Sequence, residues 1–294
     1  MRVTNQMMIN NVIQYIDEIK NRIDATQEQI ASTKKFQTPS DDPITASTCL
    51  QLKSSLSISE GYQNTANTIS DWMATTDFNL EQLSVLARKA SNIVLSGLNG
   101  TIDAAERKSS LANEINEMLH QAIDIGNSKF QNSYIFAGVR VDQPAFVLID
   151  EDTIKYQGIS KEMMRSIGQN SKVIMNIDGN DTITPLIQAL IEARNNLATN
   201  NTSDLPGTLD KIKTALETLT AARTENGTRM RQIETSISNM EKSDIAIHAI
   251  LSSKEDTSMA EAYSLLASQE NTYQAVLEVG SRTLSALNLF DYMN

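Results

Sequence analysis

Between Thr208 and Asn294 the chain contains no proline and only two glycines, Gly227 and Gly280. A run this long without breakers leaves few options. A strand ends within about ten residues, whereas a helix continues until something removes its hydrogen bonds. Apolar spacing selects the helix. Leu209, Ile212, Leu216, Leu219, Arg223, Asn226, Met230, Ile233, Ile237, Met240, Asp244, Ile247 and Leu251 follow alternating steps of three and four, the seam of a coiled coil. A last amphipathic segment carries Met259, Ala262, Leu266, Tyr273, Val276, Gly280, Leu284, Leu287 and Phe290.

The other end of the chain repeats the pattern. Ile9, Ile16, Ile23 and Ile30 recur every seven residues, with Val12 and Ile19 three positions after the first two. The seam then fades at Thr26 and Thr33. A stripe this narrow cannot bury itself and needs a partner helix. It stops at Gln37-Thr38-Pro39-Ser40-Asp41-Asp42-Pro43. Pro39 forbids continuation, Ser40 or Asp41 can cap the next helix, and acids suit the start of its dipole.

Helix is expected from Ile44 to about Tyr62, then along Ile69, Trp72, Thr76, Leu83, Leu86, Ala90, Ile93 and Gly97, up to a turn at Asn99-Gly100. Another helix presents Leu111, Ile115, Met118, Ala122 and Ile125 on one face. At Gly138 the texture changes. Runs shorten to Ala145–Ile149, Thr153–Gln157, Met163–Ile167 and Lys172–Ile177, separated by Asp-, Gly- and Ser-containing turns, which reads as an antiparallel insertion of about four strands. Helices resume at Thr182 with Ile183, Leu186, Leu190 and Leu197. The expected fold is mainly α: an elongated out-and-back helical bundle with a terminal coiled coil and a small central antiparallel β insertion. Its first and last helices should lie together, each about 50 Å long.

Charge and residue counts remove whole classes of function. Lys and Arg number 25 against 36 Asp and Glu, a net charge of −11. No basic run is present to displace counterions from nucleic acid or to dock on an anionic membrane. No apolar stretch approaches the ~20 residues a bilayer requires, and the N-terminus lacks the pattern of a cleaved secretory signal. One cysteine, Cys49, allows no internal disulfide, and it stands at helical spacing from Leu52 and Leu56 as a small core residue. With only His120 and His248 as histidines, a Cys/His zinc site is out of reach. There is no GxGxxG, Walker loop, GxSxG or HExxH. Asp41/Asp42, Glu114/Glu117 and Asp150/Glu151/Asp152 read as a cap, a solvated helix face and a hairpin turn. The expectation is a non-enzyme with no catalytic, cofactor or metal site. What demands explanation is the pair of diluted seams, since such segments commonly order only when several copies meet.

Several local motifs together resemble the flagellar hook-associated protein 3 family, relatives of flagellin. They are the opening MRVTNQMM, Lys35-Phe36 leading into Gln37–Pro43, and Asn132-Ser133-Tyr134-Ile135-Phe136-Ala137-Gly138. Gln143-Pro144-Ala145-Phe146, Tyr156-Gln157-Gly158 and the ending Leu287-Asn288-Leu289-Phe290-Asp291-Tyr292-Met293 complete the set, in the family's order. The chain departs from the family at Ser32-Thr33-Lys34-Lys35-Phe36-Gln37, where members favour a glycine-containing segment.

The resemblance implies a structural subunit at the junction between hook and filament of the bacterial flagellum. It would be secreted through the flagellar type III apparatus without signal cleavage and helped by a cytosolic chaperone. The implied partners are a hook-associated protein on the hook side, flagellin on the distal side, and its own copies in a ring of about eleven subunits. Residues 1–43 and 255–294 would form an inner terminal coiled-coil layer, 44–137 and 181–254 a helical bundle, and 138–180 a small outer β domain. The implied assembly seam is Ile9, Val12, Ile16, Ile19, Ile23 and Ile30 with Met259, Leu266, Tyr273, Leu284, Leu287 and Phe290, above the junction turn Pro39, Ser40, Asp41, Asp42 and Pro43. Two rivals are weighed against it. Filament flagellins typically carry a KDDAAG-like junction and an LSLL ending, and a chemoreceptor-type signalling coiled coil would show longer unbroken heptads and no β insertion.

Overall fold

The computed structural model describes residues 5–99, 103–150 and 152–291, with the side chains of residues 5, 6, 8 and 283–291 left out. Eight α-helices are described: α1 (Asn5–Ser32), α2 (Pro43–Gly97), α3 (Ala104–Glu106), α4 (Ala112–Gly126), α5 (Gly179–Thr182), α6 (Thr184–Ala198), α7 (Leu205–Glu255) and α8 (Met259–Asp291). A single π-helical turn, Arg107–Leu111, joins α3 to α4. Six short strands lie between α4 and α5: β1 (Lys129–Phe130), β2 (Ser133–Tyr134), β3 (Phe146–Asp150), β4 (Thr153–Tyr156), β5 (Met164–Ser166) and β6 (Lys172–Ile174). The fold is mainly α with a small β insertion. Two compact units share it, residues 58–242 and residues 1–57 with 243–294.

In the 58–242 unit the expected periodicities become buried faces. Ile69, Met73, Leu80, Leu83, Ala87, Ala90 and Val94 of α2 share one core with Ile115 and Leu119 of α4, Leu186 and Leu190 of α6, and Ile212 and Leu219 of α7. Helix α2 runs unbroken through Gly61, where the sequence suggests two helical segments; no atom lies near enough for that glycine to serve packing. Polar residues on the α7 stripe are used across the helix interface. Asn226, fully buried, donates its Nδ2 to the Met73 carbonyl at 2.9 Å, and Arg223 pairs with Asp77 and Glu81. His120 and His248 are solvent-exposed.

The β region differs from a single four-stranded insertion. The four expected runs are β3 to β6, but they pair as two separate antiparallel hairpins. A third hairpin, β1–β2, precedes Gly138. Its turn residues Gln131 and Asn132 both have positive φ, 45° and 74°, the backbone of a tight hairpin turn without the usual glycine. The absent turn glycine is why pattern reading passes over it. Side chains tie these hairpins together. Asn127 brackets Phe146, accepting from its N–H at 2.9 Å and donating to its carbonyl at 2.8 Å. The Tyr156 hydroxyl donates to the Phe136 carbonyl at 2.9 Å, and burial pushes its pKa well above the ordinary phenol value. Gly138 has a φ of 64°, and a Cβ there would stand 1.9 Å from the Ile159 oxygen. A Cβ on Gly179 would stand 2.5 Å from the Phe136 oxygen. The YIFAG and YQG motifs are thus one packing knot, with main chain closed on main chain.

In the other unit α1 packs against α8. Three contacts at successive heights define antiparallel pairing: Val12 against Gly280, Thr26 with Gln269, and Lys34 opposite Asp256. Ala46 and Cys49 on the first turns of α2 are buried, Cys49 with 3% exposure.

Candidate assembly interface

The α1–α8 seam is read directly from burial. On α1 the residues withdrawn from solvent at seam spacing are Ile9, Val12, Ile16, Ile19, Ile23, Thr26 and Ile30. On α8 they are Met259, Ala262, Leu266, Gln269, Tyr273, Val276 and Gly280. Both series step three and four along the helix, so each presents one narrow face to the other. The predicted seam residues with described side chains all lie in these series. Leu284, Leu287 and Phe290 belong to the α8 backbone, but their side chains lie outside the described residues, as do Tyr292 and Met293. Only Thr26 of the α1 seam is fully buried, and its hydroxyl donates to Gln269 Oε1 at 3.0 Å. Pattern reading treats Thr26 as the point where the seam fades; the structure makes it a polar layer.

The pair leaves much apolar surface outside. Ile13 and Tyr15 on α1 and Tyr263, Leu265, Leu277 and Val279 on α8 are 42–61% exposed. An apolar cleft of about 270 Å³ opens between Ile9, Val12, Ile13 and Ile16 on one side and Leu277 and Gly280 on the other. Two helices alone bury too little to cover such residues, which lie on both flanks of the seam.

Below the seam, the Pro39–Pro43 turn is built by its two aspartates. Asp41 accepts from the Gln37 and Thr38 N–H groups at 3.1 and 2.9 Å and from the Thr38 hydroxyl at 2.9 Å. Asp42 is the residue that caps α2, accepting from the Thr45 N–H at 3.1 Å, with Pro43 as the first helical residue. The expectation of Ser40 or Asp41 as cap is therefore corrected by one or two positions. Pro43 belongs inside the first turn, where its missing N–H costs nothing, and this moves the cap to the residue before it. The hydrogen bonds from Thr38 and Thr45 hold the Asp41 and Asp42 carboxyls below the ordinary aspartate range. Ser40 and Pro39 are exposed.

The sequence reading passes over the contacts that tie the end of α1 and the first turns of α2 to the stretch between α7 and α8. Lys34 Nζ lies 2.6 Å from Asp256 Oδ1, and Lys53 Nζ lies 2.9 Å from Glu255 Oε1. These residues are distant along the chain and carry no motif, so their pairing leaves no local signal. Among the described residues no three His, Cys, Asp or Glu side chains gather to hold a metal, and no helix is long and apolar enough to cross a membrane.

This arrangement has relatives. The family model for the bacterial flagellin N-terminal helical region matches residues 3–140. Flagellar hook-associated protein 3 of Escherichia coli (strain K12) is 24% identical over 267 residues, covering 80% of this chain and 81% of that protein. The chain resembles flagellar hook-associated protein 3 over most of its length. Solved structures share the fold. Bacillus cereus FlgL matches with a TM-score of 0.61 at 22% identity over 69% of this chain and 99% of that one. The flagellar junction protein FlgL from Legionella pneumophila matches with a TM-score of 0.57 at 14% identity over 63% and 98%. The flagellin-like match takes in α1, the Pro39–Pro43 turn, α2, α4 and the first β-hairpin.

Proposed function

We propose that this chain is a structural subunit of the bacterial flagellum that forms the junction between the hook side and the flagellin filament, assembling through α1 and α8. The observation that carries the reading is the α1–α8 pair, sealed along one seam by Thr26 and the isoleucines while Ile13, Tyr15, Tyr263, Leu265, Leu277 and Val279 stay uncovered. A surface of this kind is completed by neighbours. On this reading residues 1–43 and 255–294 are the inner assembly layer, 44–137 and 181–254 the supporting bundle, and 138–180 the outer part. Copies close into a ring through a heterologous contact repeated around an axis, of about eleven subunits as the family resemblance implies. A hook-associated protein binds one side of the ring and flagellin the other. Export through the flagellar type III apparatus, with a cytosolic chaperone covering the apolar ends beforehand, fits a chain whose lone Cys49 asks for no disulfide. The chain carries no catalytic role in this account.

The test is complementation of a deletion strain. Full-length chain should restore filaments, and variants lacking residues 1–43 or 255–294 should be made but fail to restore them. Full activity of either truncation would contradict assembly through the terminal helices. Filament flagellin is the alternative within the same structural class, and it is distinguished because its loss removes the filament protein itself instead of detaching it.

A further inference from the structure

Helix α1 ends at Ser32, and the next residue, Thr33, has a φ of 59°. In this left-handed region a Cβ crowds the following carbonyl, so glycine or asparagine is the ordinary occupant and a β-branched residue is strained. Apart from a bond between its own hydroxyl and the Ser32 carbonyl, Thr33 is held from across the unit. The Thr257 N–H donates to the Thr33 carbonyl at 2.9 Å, the Lys35 N–H donates to the Glu255 carbonyl at 2.7 Å, and Lys34 stands opposite Asp256 as an antiparallel bridge. Side chains reinforce the pairing. Lys34 meets Asp256 at 2.6 Å, Ser252 Oγ donates to the other Asp256 oxygen at 2.6 Å, and Lys35 Nζ donates to the Ser253 carbonyl at 2.6 Å.

The closed arrangement also carries costs. Glu255 Oε2 and Thr257 Oγ1 are buried there with no hydrogen-bond partner. Unpaired buried polar atoms and a strained backbone oppose closure, while main-chain bonds and ion pairs favour it. Opposed contributions of this kind are what a two-state element requires, since removing either one shifts its equilibrium.

We propose that residues 33–35 and 255–257 form a strained clasp that fixes the root of the α1–α8 pair when closed and lets Thr33 relax and the pair swing when open. The clasp lies wholly within one compact unit, and the inference stands whichever part of a flagellum the chain builds. A joint of this type would let an assembly layer meet its neighbours at more than one angle while its seam stays intact.

Hydrogen exchange of the full-length chain, read on peptides covering 32–37 and 254–258, tests it. Thr33→Gly removes the strain and should slow exchange in both peptides by about fivefold or more. Thr33→Asn, which keeps a side chain yet accepts a left-handed backbone, should slow both by a smaller factor. Asp256→Ala should speed both by about twofold or more, and the effect should shrink at high salt. Peptides within α4 and α6 should not change in any variant. The proposal is overturned if both Thr33 variants leave the two peptides unchanged or faster, or if Asp256→Ala alters neither. It is equally overturned if the wild type exchanges there at unprotected rates, or if the slowing extends through the whole chain.

Discussion

Thr26 and Gln269, 243 positions apart in the chain, share a hydrogen bond of 3.0 Å across the α1–α8 seam. In an otherwise apolar stripe a single polar layer costs some stability and defines register, because a slip sets the Gln269 amide against apolar side chains while Thr26 keeps only its bond to the Arg22 carbonyl at 2.9 Å. Thr26→Val should destabilise the pair by about 1 kcal/mol. Thr26→Leu combined with Gln269→Leu should recover or exceed wild-type stability while admitting shifted registers. Helical hydrogen exchange in α1 measures the first effect, and disulfide trapping between cysteines placed along α1 and α8 reads the register. Single-register trapping in the double variant would contradict the assignment.

The main chain at Gly138 leaves no room for a methyl group, since a Cβ would meet the Ile159 oxygen at 1.9 Å on a backbone with a φ of 64°. Gly138→Ala should destabilise the packing knot by about 3 kcal/mol or more. Loss of exchange protection should concentrate in 135–160, with α1 and α8 unaffected. A silent substitution would refute the close approach described for YIFAG and YQG.

Asp41 and Asp42 accept these hydrogen bonds more strongly as carboxylates and are held below the ordinary aspartate value near 3.8. A depressed folded pKa means stabilisation that is complete above the ordinary value and is lost as pH falls through the lowered one. The Pro39–Pro43 turn and the first turn of α2 should therefore stay ordered at pH 5 and loosen in acid below about pH 4. Amide proton shifts of Thr38 and Thr45 give the titration directly. Midpoints at or above the ordinary aspartate value would contradict the hydrogen-bonded geometry.

Free monomer should be trimmed from both ends by limited proteolysis before the 58–242 unit is cut. The α1–α8 pair is a two-helix seam with apolar residues uncovered, and isolated seams of this kind are marginal. Trimming should slow at the clasp, leaving fragments that start near residue 33 and end near 257. Full-length resistance in dilute solution would show that the pair needs no neighbours.

Much of this architecture is legible in the sequence because heptads are local statements. The steps from Leu209 to Leu251 and from Ile9 to Ile30 need no knowledge of what they face, and both become helices with the expected faces. Glycine is less reliable as punctuation. Gly61 and Gly227 sit within unbroken helices, where neighbouring contacts outweigh a propensity cost of about 1 kcal/mol each. Conversely, Gln131, Asn132 and Thr33 hold positive φ without being glycine, so the β1–β2 hairpin and the clasp give no signal in the composition. The cap at Asp42 is displaced from Ser40 or Asp41 by Pro43, a distinction of one or two residues that depends on where the first helical hydrogen bond closes. The ion pairs of Lys34 and Lys53 with Asp256 and Glu255 are invisible for another reason. Nothing local to either segment requires them; they form only where the end of α7 and the start of the chain's return meet the end of α1 and the first turns of α2.

Whether this chain joins filament to hook is read from electron microscopy of cells from which it alone has been removed. Such cells should carry hooks ending without filaments and should shed intact flagellin into the medium. Filaments of normal length attached to those hooks would contradict the junction role.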